Sequence, residues 1–382
     1  MRFSFDGNGI HMDMEHGEKG SVLISGGSGL ERNFLASNLA TKLIRDGNRM
    51  HLIDFGEQWN MEDKTRFINA GAVEKVVKQQ GVKLVLSSVE ELAGCARYIM
   101  SALGLRSIKT EAVLRKFLLK QYNQAEECLS IKGLVDSLTK DKDENQQEHD
   151  EMDELCSCLN SYGGIPDITF CVSRNSKFSA SSIIWNLSGL DDTYTRVTTY
   201  LITYCLYQQK KRGFIGNRKG NRIFVVIDGF QDLDCDSDSI IGVCLADGWK
   251  YGLDLMLITP LLSGNFSEAV LKKFMQKCFR FHFRTSEEEA VVISWHLSFG
   301  YSIQKKVYQK LVGLSSGECM LLGLHSVGEQ QDMLEMLWLL EVKMDVDDSE
   351  KEKNVIVQVT PQDSGFSRGR VYAPRSLWKG GK

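Results

Sequence analysis

Proline is nearly missing from this chain, at four of 382 positions. That excludes a Pro-rich linker or recognition segment and, with 34 glycines, implies regular elements joined by tight turns. Long apolar runs are missing too: none approaches the roughly 20 residues that cross a bilayer, and no signal-peptide pattern opens the chain. The expected location is therefore the cytoplasm. Excess charge of one sign is also absent. Forty-six basic against 50 acidic residues leave a net charge of −4, which supplies no global field to attract nucleic acid, so any such contact must be local. The ten cysteines (Cys95, Cys128, Cys156, Cys158, Cys171, Cys205, Cys235, Cys244, Cys278 and Cys319) show no disulfide framework. Several, such as Cys171 and Cys205, lie inside apolar strand or helix patterns, and buried reduced thiols are expected. Cys156-x-Cys158 is too close-spaced and unpartnered to argue for zinc, and no metal ligands are assigned.

What remains is a chain of ordinary globular composition, long enough to bury a large core in about two structural units. A short polar ribbon over Arg2–Glu15, turning at Asp6–Gly9, is followed by strand Val22–Ser25, helix Phe34–Arg45 and strand Met50–Phe55. Helix Lys64–Gln79, strand Lys83–Leu86 and helix Val89–Leu103 come next. Such alternation implies a mostly parallel sheet covered by helices. Residues 104–160 carry helical periodicity without a convincing strand, and the run Lys140–Glu154 is rich in Asp, Glu and Gln, as in a solvated acidic loop. The sheet pattern resumes at Ile168–Val172 and Ser182–Leu187, with helix Tyr194–Gln209 and strand Arg222–Ile227. Helix Ile240–Lys250, strand Leu253–Ile258, helix Ser267–Gln276 and strand Cys278–Arg284 follow. Helices Glu287–Trp295 and Ile303–Leu311, strand Glu318–Gly323 and helix Gln330–Val342 complete the pattern. The expected divisions are 1–103 and 166–345 as two halves of one core, 104–165 as a helical insertion, and 346–382 as a charged linker and tail.

The chemistry concentrates in Ser21-Val-Leu-Ile-Ser-Gly-Gly-Ser-Gly-Leu-Glu-Arg-Asn-Phe34. A strand runs into glycines and then a helix, the form of a phosphate loop, Gly-x-x-x-x-Gly-Lys-Ser/Thr. Gly26, Gly27, Ser28 and Gly29 preserve the turn, but the last glycine is Glu31, the lysine is Arg32 and the hydroxyl residue is Asn33. Glu31 places a side chain, and a charge that repels phosphate unless it turns outward, where close backbone approach is wanted. Arg32 keeps a positive charge without lysine's compact reach, and Asn33 offers Mg²⁺ a poorer oxygen than a hydroxyl. The apolar run Ile223-Phe-Val-Val-Ile-Asp228 has the form of a Walker B strand, whose carboxylate orients Mg²⁺ or its water. The general base expected next is Gly229, a loss worth about 10²–10⁴-fold in rate. Asp232 and Asp234 lie a helical turn or more away. Weak binding of ATP and Mg²⁺ is compatible with these residues, and efficient hydrolysis is not.

Blander readings stand beside this one. Asp228 is equally a strand-end cap. The glycine turn superficially suits a dinucleotide fold, but Arg32 would obstruct the helix–strand packing that fold needs. Tyr207-x-x-x-Lys211 matches a reductase-like pair at a spacing common by chance on a helix.

The order of these pieces resembles the FtsK/HerA superfamily of hexameric P-loop motors, and within it the conjugative type IV secretion ATPases of the TraC-like kind. Gly26-Gly-Ser-Gly-Leu-Glu-Arg-Asn-Phe-Leu falls without a gap on the family's Gly-x-x-Gly-x-Gly-Lys-Ser-Phe-Leu. Leu43–Phe55 resembles its helix–turn–strand ending in Ile-Asp, and Ile183–Asp192 its strand followed by Leu-Ser-Gly-Leu. Tyr251–Thr259 is similar to a later strand that normally ends in Thr-Gln. The resemblance spans roughly residues 15–325 and implies an α/β, RecA-like P-loop NTPase core with an α-helical insertion. The departures are systematic: Glu31, Arg32 and Asn33 in the loop, Gly229 after Walker B, Pro260 for the sensor glutamine, and Gln58-Trp59 for an acidic residue before an aromatic.

What the resemblance implies is a structural or regulatory subunit of a conjugation, secretion or DNA-translocation assembly, working in a homo- or hetero-oligomeric ring or with other protein partners. It also implies a site peripheral to a membrane-bound complex. The basic loop Lys210–Arg222 is a candidate DNA contact, with a solvated connector the simpler reading. The competing reading is an active motor in which Arg32 clamps phosphate and Asp228 holds Mg²⁺. A nicotinamide-dependent reductase is a third.

Overall fold

The computed structural model describes residues 2–3, 10–11, 20–56, 59–124, 128–142, 149–159, 168–173, 181–213, 222–264, 266–296, 301–325, 334–342 and 357–358. A two-stranded antiparallel ribbon, β1 (Arg2–Phe3) and β2 (Ile10–His11), comes first, as the sequence leads one to expect. The core opens with β3 (Ser21–Ser25), α1 (Gly29–Arg45), β4 (Arg49–Asp54), α2 (Met61–Asn69), β5 (Val73–Val76) and the single turn α3 (Val77–Gln80). A side branch holds β6 (Val82–Leu86), α4 (Val89–Ala102), α5 (Ile108–Gln124), β7 (Cys128–Ser130), α6 (Ile131–Lys142), α7 (His149–Leu159) and β8 (Ile168–Val172). The chain returns through β9 (Ile183–Asn186), α8 (Asp192–Gly213), β10 (Ile223–Asp228), α9 (Ile240–Val243), α10 (Trp249–Tyr251), β11 (Leu253–Thr259), α11 (Glu268–Lys277) and β12 (Cys278–Phe283). It closes with α12 (Glu287–Trp295), α13 (Tyr301–Gly313), β13 (Glu318–His325), β14 (Leu334–Val342) and β15 (Val357–Gln358).

The main sheet runs β15-β14-β13-β12-β3-β11-β10-β4-β9-β5. From β12 to β5 every pairing is parallel, while β13, β14 and β15 extend one edge antiparallel. Helices cover both faces, so the central strands are near-continuous apolar runs. The period of two sorts the side chains. Leu23, Ile53, Val225, Ile227, Leu255 and Leu257 join the core beneath α4 and α8. Val22, Ile24, Leu52, Phe224, Val226, Met256 and Ile258 join the core beneath α1. All parallel strands send their carboxyl ends to one edge, where open α/β sheets place ligands.

Several expectations need correction. The helix expected over Lys64–Gln79 ends at Asn69: Gly71 at φ 102° turns the chain, and Val73–Val76 pairs with β9 as the edge strand instead. Of the helix expected over Gln330–Val342, residues 330–333 lie outside the described residues and Leu334–Val342 is strand β14, for which β13 provides eight residues of antiparallel register. Tertiary pairing here overrides local propensity. The strands near residues 83–86 and 168–172 do not join the main sheet. They pair with each other, and β8 also pairs with β7, in a small sheet ordered β6-β8-β7. Residues 104–160, expected to be purely helical, therefore contribute β7.

The expectation of reduced thiols fails at one pair. Cys128 on β7 and Cys171 on β8 stand opposite in register, with Cα atoms 4.7 Å apart, and form a disulfide. Sequence gave no sign of it because the partners are 43 residues apart with helices between. The other cysteines described are not disulfide-bonded, and most, including Cys205, are buried. The bond closes a loop containing α6 and α7. On the chain-entropy model such a loop stabilises by about 4 kcal/mol. A Cys128→Ser/Cys171→Ser variant should therefore melt earlier by several degrees, with the difference vanishing when both proteins are melted in excess dithiol.

Candidate nucleotide site

β3 delivers Ser25 to the carboxyl edge of the sheet, where Gly26 and Gly27 both take positive φ, 76° and 60°. Only glycine adopts these angles without strain, and neither position has room for more: a Cβ on Gly26 would lie 2.8 Å from the Phe283 carbonyl oxygen, and one on Gly27 2.7 Å from Phe283 Cβ. The loop is therefore folded down onto the end of β12. The Gly27 N–H donates to the Arg284 carbonyl at 2.8 Å, and the Gly26 N–H to the Pro260 carbonyl at 3.3 Å. Below it the Ser25 hydroxyl is 2.7 Å from His282 Nδ1, on a fully buried imidazole that burial and Arg280 push down to a pKa of about 3.

Ser28 caps α1 in an extended conformation, accepting from the Glu31 N–H, while Glu31 Oε2 accepts from the Ser28 N–H at 2.7 Å and the Ser28 hydroxyl at 2.8 Å. This reciprocal capping box starts α1 at Gly29, one turn earlier than the sequence pattern suggests. The other carboxylate oxygen, Oε1, accepts from the Gly317 N–H at 2.6 Å and the Ser316 hydroxyl at 3.1 Å, in the turn before β13. Sequence left open which way Glu31 points; it points back into the loop and across to this turn. Burial raises its pKa, but the hydrogen bonds from Ser28, Gly317 and Ser316 more than reverse that and hold the carboxylate below its usual range.

Arg32 does not face open space either. Its Nη1 donates to the carbonyls of Gly26 and Gly27, both at 2.8 Å. Burial lowers its pKa against the attraction of Asp228 and Glu31. Asn33 hydrogen-bonds to the Asp228 side chain. Asp228 ends β10 and is almost fully buried; burial, with Asp54 nearby, pushes its pKa up to about 7 in spite of Arg32, the Gly229 N–H and Asn33. Gly229 follows at φ 80° with its own N–H bonded to the Ile258 carbonyl.

The structure thus brings Gly26, Gly27, Ser28, Gly29, Arg32, Asn33 and Asp228 together at one end of the sheet. It also adds groups that sequence reasoning passed over. Asp54, at the end of β4, is fully buried and paired to Lys64 at 2.5 Å. Gln231, one turn past Asp228, has its Oε1 3.0 Å from the Thr259 hydroxyl, at the strand end where the resemblance leads one to look for a sensor glutamine. A polar residue one turn beyond a strand-end Asp was the available signal. Asp234 is engaged elsewhere, accepting from the Asp236 N–H at 2.8 Å, with the Ser101 hydroxyl at 3.4 Å.

Arg280, on β12, is fully buried with Nη1 3.0 Å from Met275 Sδ. Tyr207 packs edge-on against Tyr251, and burial raises its pKa, the reverse of what a reductase tyrosine needs. Gln58 and residues 214–221 of the basic loop lie outside the described residues.

Several backbone donors of the turn are already engaged within the protein. The N–H groups of Gly26, Gly27 and Ser28, at the entry of the turn, donate to Pro260, Arg284 and Glu31. The Asp228 carboxyl, which would face the metal, is buried against Asn33.

The fold is α/β, a large mostly parallel sheet flanked by helices, matching the P-loop NTPase folds of its structural neighbours. Among solved structures the chain is similar to VirB4 of Thermoanaerobacter pseudethanolicus, at 16% identity over 85% of this chain and 92% of that one, with a TM-score of 0.60. It is also similar to the bacterial conjugative coupling protein TrwB, at 12% identity over 84% and 85% of the two chains with a TM-score of 0.51. A TrwB structure in complex with a non-hydrolysable ATP analogue matches at 12% identity, 83% and 84% coverage, and a TM-score of 0.52. No protein-family model matches the chain, and no curated protein sequence does. These neighbours agree with the family resemblance read from the sequence, and with the fold expected from it. Among the described residues no helix is long and apolar enough to cross a membrane.

Proposed function

We propose that this protein is a structural or regulatory subunit of a conjugation, secretion or DNA-translocation assembly, built on an ATPase fold whose own site does not turn over ATP. The observation that carries this reading is at Asp228. The carboxyl that would orient Mg²⁺ is buried, held by Asn33 and half-protonated near pH 7, and the water-activating carboxylate expected beside it is Gly229. Asp54, the other acid near Asp228, is neutralised by Lys64. ATP and Mg²⁺ are at most weak ligands of such a site. The division into two core halves (1–103 and 166–345), an insertion (104–165) and a tail (346–382) belongs to this reading. So do membership of a homo- or hetero-oligomeric ring, a cytoplasmic position peripheral to a membrane-bound complex, and DNA contact through the Lys210–Arg222 loop.

The test is titration calorimetry with Mg²⁺ and ATP, with hydrolysis assayed on the same sample. The expected result is no heat at millimolar nucleotide and no turnover. Turnover that disappears in Asp228→Ala would overturn the reading in favour of an active motor with an unorthodox site.

A further inference from the structure

We propose that Glu31 is the resident anion of its own phosphate loop: its carboxylate keeps the loop closed to phosphoryl ligands and ties it to the Ser316–Gly317 turn. This rests on the reading of the site as silent and gives it a cause. A capping box accounts for only half of what Glu31 does. It needs one carboxylate oxygen on the N-cap, which Oε2 supplies at Ser28. Oε1 is not required for capping, yet it takes two more donors from a turn 285 and 286 residues away in sequence, one of them a backbone N–H at 2.6 Å.

Together the two oxygens receive bonds from two backbone N–H groups and two hydroxyls at the positive end of α1. That is the chemistry a phosphoryl oxygen would meet there, and one anion excludes another. The backbone closes around the carboxylate: a Cβ on Gly27 would lie 2.9 Å from Oε2. The neighbouring charge is consistent with this role, since Arg32 bonds the loop carbonyls of Gly26 and Gly27 from the adjacent helical position and feels the attraction of Glu31. The arrangement is an autoinhibitory contact, and because it spans from β3 to β13 any partner that displaces the Ser316–Gly317 turn would loosen the loop.

The ligand class is a phosphoryl group, either inorganic or at the end of a nucleotide, so the test uses both. Wild type, Glu31→Ala, Glu31→Gln and Ser316→Ala are titrated with inorganic pyrophosphate and, separately, with ADP, after circular dichroism has shown each to be folded. Glu31→Gln retains the capping oxygen while removing the charge, so it decides the question if Glu31→Ala does not fold. We expect at least tenfold tighter pyrophosphate binding in the Glu31 variants than in wild type, with Ser316→Ala between them. Tighter ADP binding as well identifies the nucleotide as the natural source of the phosphoryl group; pyrophosphate alone identifies a free phosphate. Binding by a folded Glu31 variant that is no tighter than wild type for either ligand overturns the proposal. That failure is separate from failure of the silent-site reading, which would appear as hydrolysis by the wild type.

Discussion

Replacing Asp228 with asparagine should make the protein more stable at pH 8 and leave its stability at pH 4 nearly unchanged. The carboxyl is displaced upward, from 3.8 to about 7, mainly by burial. Between those limits the folded protein holds a proton that the unfolded chain has lost, so the folded state binds more protons and stability falls as pH rises. Below about pH 4 both states are protonated and the penalty is absent; above about pH 7 it is fully present. At 1.36 kcal/mol per pH unit the penalty is at most about 4 kcal/mol. Losing the attraction to Arg32 takes part of the gain back, leaving about 1–3 kcal/mol for Asp228→Asn. Urea melts at pH 4, 6 and 8 check it. An asparagine variant whose stability falls from pH 4 to 8 with the same slope as wild type would sink the account of Asp228 as a buried acid.

The largest loss is expected at the opposite end of the sheet. Asp254, on β11, is fully buried; its Oδ2 accepts from Arg222 Nε at 2.6 Å and forms an ion pair with Nη2 at the same distance. Gly20 makes the fit, since a Cβ there would overlap Asp254 Oδ1. Burial raises the pKa of Asp254, and Arg222 and then Lys210 oppose that. Truncating Asp254 leaves the partly buried Arg222 guanidinium without its partner, a loss of about 2–3 kcal/mol, below that for a fully buried pair. Asp254→Ala should therefore lower the urea midpoint more than any single change at the phosphate loop. Replacing the pair together, as Asp254→Leu with Arg222→Met, should recover most of that loss, because the desolvation of both charges disappears with them. If the double variant is no more stable than Asp254→Ala, the pair contributes net stability and not just mutual dependence.

How much of this was visible in the sequence depended on how local the cause was. The Gly26–Asn33 loop and the Asp228 strand end could be read directly, because a strand, a glycine turn and a helix start occupy consecutive residues. The central parallel strands could also be read, since burial on both faces leaves a continuous apolar run such as Ile223–Ile227. What could not be read was decided by partners far along the chain. Nothing near Glu31 announces Ser316 and Gly317, and nothing near Gly26 or Gly27 announces that their N–H groups will meet Pro260 and Arg284. The same holds for β14, whose residues have no local reason to prefer a strand until β13 is beside them, and for Cys128, which needs Cys171 across a small sheet. The substitutions in the loop were legible as losses. Their positive content, a loop satisfied by its own side chains and neighbouring carbonyls, was not.

The strand order also sets a timetable for synthesis. β3 is the first strand of the main sheet to emerge, yet its two neighbours are β11 and β12, which end at Thr259 and Phe283. At translation rates of about 5–20 residues per second, the apolar Val22-Leu23-Ile24 waits for tens of seconds with both hydrogen-bonding edges unpaired. During that interval β4 and β9, which pair directly, already have each other, and β10 then adds to β4. The centre of the finished sheet thus closes after the β10-β4-β9 flank and before β13, β14 and β15 extend the other edge. The nascent chain must keep β3 from pairing elsewhere until the residues up to Phe283 have left the ribosome.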